Sequence, residues 1–176
     1  MAGIDESLSF HPLHMAILTV SDTRTMETDT SGALLQERAQ DAGHTVVERR
    51  IITDDLSALK QQLKSWVARP DIEVILTTGG TGVTGRDSTP EAVEAISEKI
   101  IPGFGELFRW LSYQSIGTST IQSRATAGVA KGTYIFAIPG STGACKDAWD
   151  GILRDQLDIR NRPCNFAELI PRLREH

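Results

Sequence analysis

The chain of 176 residues carries 23 acidic and 18 basic side chains, a formal charge of −5, and the charges are mixed along its whole length. There is no basic stripe to neutralise the phosphates of a polymer, which argues against a nucleic-acid partner. The residues are 40% hydrophobic and 6% aromatic, and the apolar ones arrive in short separate runs, none near the roughly 20 residues of a membrane span. One compact domain over residues 1–176 is expected, with a lead-in at 1–14 and an irregular tail at 160–176. A domain of about this size buries roughly 70% of its unfolded surface and needs no disulfide or metal staple. The start, Met1 to Phe10, has neither a basic region nor an apolar core, so no secretory signal is expected and the chain is placed in the cytoplasm, with Cys145 and Cys164 as thiols.

In chain order, Met15 to Val20 (MAILTV) reads as a buried strand stopped by Ser21-Asp22-Thr23. Apolar residues at spacings of three and four predict a helix from Ser31 to Ala42, ended by Gly43. Thr45 to Thr53 is a β-branched run and a second strand, closed by Asp54-Asp55. Leu56, Leu59, Leu63, Trp66 and Val67 form the stripe of an amphipathic helix that Pro70 closes. Asp71 to Thr78 is a third strand running into the glycine-rich stretch Thr78 to Gly85, after which Ser88 or Thr89 caps a helix with Pro90 at its first position, reaching about Lys99. Between Pro102 and Ala130 a helical pattern broken by glycines predicts two helices. Thr133 to Ile138 (TYIFAI) is another buried strand, ended by Pro139-Gly140-Ser141, and Ala144 to Leu157 is the final helix. Alternating strands and helices predict a three-layer α/β/α fold around a mostly parallel sheet. In such sheets ligands bind outside the carboxyl ends of the strands, so the four polar clusters should gather along one edge.

Gly80-Thr81-Gly82-Val83-Thr84-Gly85 satisfies G-x-G-x-x-G after a strand, yet the context argues against a dinucleotide site. The acid needed some 20 residues on, at the end of a next strand, is missing at Ile100 to Gly105. This disfavours an NAD-dependent oxidoreductase. A Walker loop would need Lys and Ser or Thr where Arg86 and Asp87 stand. What remains is a cradle of backbone N–H groups around an anion, with a helix start behind it, or a mere tight turn.

The same stretch resembles the MoaB/MogA family of molybdenum-cofactor biosynthesis. The family signature T-x-G-G-T-G-x-x-x-x-D-x-T-P-E-A is matched from Thr77 or Thr78 through Asp87, Thr89, Pro90, Glu91 and Ala92. The likeness extends over Ile17 to Thr23, Asp29 with Ser31-Gly32, Ser123-Arg124, Ala127-Gly128 and Pro139-Gly140. GTSTIQSRA at 117–125, PGSTGAC at 139–145 and RPCNF at 162–166 are similar to the MoaB branch. The resemblance implies a MogA-like fold assembled as homotrimers or hexamers, binding molybdopterin and adenylylating it with ATP and Mg²⁺. It places the two active carboxylates, also the metal ligands, on Asp54 and Asp87. Substrate contacts are expected at Ser21, Asp22, Thr23, Thr78, Gly79, Gly80, Thr81, Gly82, Arg86, Ser123, Arg124, Pro139, Gly140 and Ser141. PGSTGAC departs from the MogA branch, where Asn or Gln and then Pro follow PG, so a non-catalytic molybdopterin-binding or assembly subunit is the alternative.

Each residue also has a plainer reading. Asp54 or Asp87 could cap the following helix, Arg124 could form a subunit-interface ion pair, and Ser21-Asp22-Thr23 could satisfy their own turn. His11 and His14, three apart with no third ligand, make a poor metal site. Trp66, Trp110 and Trp149 are packing residues, with Trp110 also a candidate subunit contact.

Overall fold

The computed structural model describes residues 3–175. A six-stranded sheet contains β2 (His14–Val20), β3 (Thr45–Ile52), β4 (Val74–Thr78), β5 (Lys99–Ile100), β6 (Thr126–Ala130) and β7 (Thr133–Ile138), in the spatial order β3-β2-β4-β7-β6-β5. β3, β2, β4 and β7 run parallel, and β6 is antiparallel to both its neighbours, so the sheet is mixed. The lead-in pairs with the tail expected to be irregular: β1 (Gly3–Ile4) runs antiparallel to β8 (Asn161–Arg162), and a 3₁₀ helix follows at Ala167–Arg172.

The inner strands are apolar on both faces because both faces are covered. Met15 and Ile17 of β2, Val74 and Leu76 of β4, and Tyr134, Phe136 and Ile138 of β7 face one core. That core is closed by α1 (Thr30–Asp41), α4 (Pro102–Ile116) and α5 (Thr142–Ala148). Ala16, Leu18, Ile75, Ile135 and Ala137 face a second core, closed by α2 (Leu56–Val67) and α3 (Thr89–Ile96). The period-two alternation thus assigns each strand residue to one of two helical layers, which is the expected α/β/α architecture. No helix among the described residues is long and apolar enough to cross a membrane.

The expected elements shift in three places. The segment 102–130 holds one long helix, α4, then a 3₁₀ turn over Gly117–Gln122 and the strand β6. Gly117, at φ +59, ends α4 where an L residue would be strained. TAGVA at 126–130 is too short to show strand periodicity and is held by β7 beside it. The helix after the glycine loop stops at Ile96, and Lys99–Ile100 pairs with β6 as the sheet's edge. The last helix begins earlier than expected, at Thr142 behind the cap Ser141. It passes through a π-helical turn, Trp149–Leu153, before a final α-helical turn, α6 (Arg154–Gln156).

Candidate functional site at the carboxyl edge of the sheet

Register sets the site. Val20 pairs with Ile52, Thr19 with Thr78, and Thr78 with Ile138, so four parallel strands end at nearly one level. Their exits, Ser21-Asp22-Thr23, Asp54-Asp55, Gly79 to Gly85 and Pro139-Gly140-Ser141, therefore meet along one edge. β2 is flanked by both β3 and β4, so the winding reverses between β2 and β4. Gly79 lies at this point with φ +101, and a Cβ there would stand 2.2 Å from the Val20 carbonyl oxygen. Only glycine permits that contact.

The glycine loop is shaped around the two carboxylates. A Cβ on Gly80, at φ +65, would fall 2.4 Å from Thr89 Oγ1 and 2.8 Å from Asp54 Oδ2, and one on Gly82 would fall 2.7 Å from Asp87 Oδ2. Asp54 and Asp87 thus press against the loop at different glycines. Asp87 lines a cavity of about 650 Å³ on one side, together with Gly79, Gly80, Thr81, Gly82, Ser123, Pro139, Gly140 and Ser141. Asp54 does not line it. With Asp22 it forms an acidic cluster on the β2 and β3 side, beside a second cavity of about 560 Å³ that includes Ser21 and Asp22.

Neither carboxylate caps a helix. Asp55, not Asp54, accepts from Ala58 N and starts α2, and Ser88 holds the cap position of α3. Asp87 Oδ2 instead accepts from Thr84 N at 2.8 Å and Thr84 Oγ1 at 2.6 Å. The Thr84 hydroxyl, helped by the amides of Thr84 and Gly82 and the charge of Arg124, holds the Asp87 pKa below the usual carboxylate value. Asp54 is pushed the other way: burial raises it and the charges of Asp87 and Asp22 add to that, while hydrogen bonds from Ser88 oppose the shift. Arg86 relieves Asp22, at 2.9 Å, and reaches only the main-chain oxygen of Asp54. An added cation near Asp54 and Asp87 would offset this repulsion.

No group of three or more His, Cys, Asp or Glu side chains among the described residues forms a ready-made metal cage. Asp87 at the cavity wall, with Asp54 on the other side of the glycine loop, suits Mg²⁺, which keeps one or two protein carboxylates and fills its octahedron from phosphates and water. The donor set therefore fits that ion better than zinc.

The remaining expected residues divide by role. Thr78 is buried, and its hydroxyl bonds Pro139 O and Cys145 Sγ, tying the end of β4 to the loop after β7. Burial raises the Cys145 thiol to about 11, so it is an inert core group. Arg124 Nε donates to Gly82 O at 2.7 Å, one terminal nitrogen donates to Asp87 O at 2.7 Å, and the other pairs with Glu91. Within this chain its guanidinium braces the loop. The Ser21 hydroxyl accepts from the amides of Thr23 and Arg24 in its own turn, and Ser141 caps α5 by accepting from Ala144 N.

Sequence reasoning missed the opposite wall of the cavity, built by Phe108, Ser112, Ser115 and Ile116 of α4 and by Lys146 and Asp147 of α5. A signal was present. Phe108, Ser112, Ser115 and Ile116 fall at spacings of four, three and one, a helical stripe that mixes hydroxyls with apolar groups.

A doubly covered α/β sheet, a glycine loop at its winding reversal and a cavity lined by that loop and Asp87 together define a small-ligand site suited to phosphate-bearing compounds. A family model described as "Probable molybdopterin binding domain" matches residues 16–159. Molybdenum cofactor biosynthesis protein B of Escherichia coli (strain K12) is 52% identical over 160 residues, covering 91% of this chain and 94% of its own. A crystal structure of a molybdenum cofactor biosynthesis protein B superposes with a TM-score of 0.86 at 39% identity, covering 96% of this chain and all of that one. The tungsten cofactor synthesizing protein MoaB from Pyrococcus furiosus gives 0.77 at 30% identity, covering 93% and 98%. The chain belongs to the MoaB/MogA family of molybdenum-cofactor biosynthesis proteins, in its MoaB branch.

Proposed function

We propose that the protein binds molybdopterin in the cavity and adenylylates it with ATP, releasing pyrophosphate. The observation that carries the reading is the pair of carboxylates seated against Gly80 and Gly82, with a ligand-sized cavity on the Asp87 side. The terminal phosphate of molybdopterin is a monoester with a second pKa near 6, by analogy with protein phosphomonoesters, so at neutral pH its oxygen is already anionic. That oxygen attacks the α-phosphorus of ATP, and the bond to the β-phosphate oxygen breaks. No general base is required, in keeping with an Asp87 whose lowered pKa leaves it a poor proton acceptor.

Asp54 and Asp87 would hold Mg²⁺, which when bound offsets the mutual repulsion of the two phosphate groups. Backbone N–H groups of Gly80 and Thr81 bind the transferring phosphates, since those of Gly79 and Gly82 are taken by Ile138 O and Asp87, and Arg124, by holding the Gly82 and Asp87 carbonyls, keeps that loop in one conformation. Arg86, exposed and paired with Asp22, would meet the departing pyrophosphate. The proposal includes a cytoplasmic homotrimer or hexamer. Leu107, Trp110 and Tyr113 leave an apolar face on α4, with Trp110 63% exposed, which suits burial against another copy.

A non-catalytic molybdopterin-binding subunit is the second reading. It is favoured by the Pro139-Gly140-Ser141 turn, where the Ser141 hydroxyl is engaged by the α5 cap. Pyrophosphate release from MgATP, measured with and without molybdopterin, separates the two. The transferase releases pyrophosphate only when molybdopterin is present, and loses this activity without losing its fold on Asp87→Asn. Tight molybdopterin binding with no release would leave the binding subunit.

A further inference from the structure

The cavity has two chemically unlike ends. One is the glycine loop, a set of backbone groups suited to anions. At the other stands Asp147, whose Oδ2 lies 3.4 Å from both Ser112 Oγ and Ser115 Oγ. No donor reaches Asp147 Oδ1, and no Lys or Arg pairs with this carboxylate, among the described residues. The helix offers no partner either, since positions three and four away are Gly143, Ala144, Asp150 and Gly151. Asp147 lies six positions beyond Ser141, which sets the two ends about 9 Å apart along α5. Phe108 and Ile116 line the cavity with them, an apolar surface for a flat ring. A lone carboxylate would repel the phosphate end of a ligand and accept two parallel N–H donors from its other end.

We propose that Asp147 determines specificity by reading the ligand edge where a ring N–H stands beside an exocyclic amino group, the 2-amino-4-oxopyrimidine edge of a pterin. The assignment rests on the molybdopterin reading of the cavity. It fixes the ligand's direction as well as its identity, with the heterocycle toward Asp147 and the phosphate toward Gly80 and Gly82. Ser112 and Ser115 act as positioning residues that hold Oδ2 and leave Oδ1 free. Guanine carries the same edge.

Neopterin monophosphate and its 2-deamino analogue, and GMP against IMP, would be titrated calorimetrically into wild type, Asp147→Asn and Asp147→Ala, with inorganic phosphate as a probe of the glycine-loop end. Wild type should prefer the 2-amino pterin by about tenfold or more, the worth of a hydrogen bond to a charged group. Both variants should bind the two pterins alike and hold inorganic phosphate as wild type does. Variants that keep the preference, or a wild type that never shows one while binding both pterins, would overturn the role of Asp147 and leave the molybdopterin reading standing. A wild type that binds neither pterin would overturn both. A preference for GMP over IMP without any preference between the pterins would overturn the pterin assignment.

Discussion

Gly82→Ala isolates what the loop glycines do for catalysis. A Cβ at this position meets Asp87 Oδ2 at 2.7 Å and Cγ at 3.1 Å, with no left-handed backbone to strain. Restoring ordinary contact, at about 3.5 Å, moves the carboxylate by roughly 1 Å. The move loosens its bonds to Thr84 N and Oγ1. Asp87 is only half-buried, so the stability loss should be about 1 kcal/mol, a fall in Tm of roughly 2–4 °C for a chain of this size. Misplacement of a positioning group by that distance costs about a hundredfold in rate. Gly85→Ala supplies the contrast, because a Cβ there meets nothing within 4 Å and Gly85 does not line the cavity. In a molybdopterin adenylylation assay, Gly82→Ala should lose about two orders of magnitude in turnover while Gly85→Ala stays near wild type. Equal turnover by Gly82→Ala and wild type, or equal loss in both variants, would show that Gly82 does not set the position of Asp87.

Acid should unfold the protein partly through His44. This buried ring accepts from Leu13 N at Nδ1, so Nε2 carries the proton, and burial lowers its pKa to about 4 against the charges of Asp158 and Glu73. Between about 6.5 and 4 the unfolded chain binds the extra proton, so stability is full above 6.5 and lost as pH falls toward 4, by roughly 3 kcal/mol. Urea midpoints against pH should show this limb flattened in His44→Asn. Asp29, buried, accepts from Gly32 N, Thr19 Oγ1 and Arg49. Asp29→Ala strands the Arg49 charge and should cost about 3–5 kcal/mol by urea unfolding. Arg124→Leu frees the Gly82 and Asp87 carbonyls, so amide exchange between residues 81 and 87 should quicken while exchange in β4 and β7 stays unchanged.

The fold was legible wherever a segment's own pattern decided its state. MAILTV, VILTT and TYIFAI are long enough and apolar enough to be strands, and each helix around them shows a cap or a closing residue. Residues 126–130 were not legible, because five small residues become a strand only through β7 beside them. The glycine loop could be located from its composition, but not the reason for each glycine. That reason lies in Asp54 and Asp87, which approach Gly80 and Gly82 only after the chain has wound. The likeness to family motifs could place Asp87 beside the loop. It could not show that Asp54 stands outside the cavity, or that Arg124 braces the Gly82 and Asp87 carbonyls. Asp147 and the serines of α4 escaped notice because polar residues on a helix ordinarily face water, and only the packing of α4 against α5 turns these toward a cavity.

Adenylylation is measured by incubating the purified protein with molybdopterin, MgATP and pyrophosphatase and following adenylylated molybdopterin by chromatography, with Asp87→Asn alongside. Product from wild type, abolished in a variant that keeps its Tm, is the expected result. Molybdopterin bound but never adenylylated by wild type would contradict it.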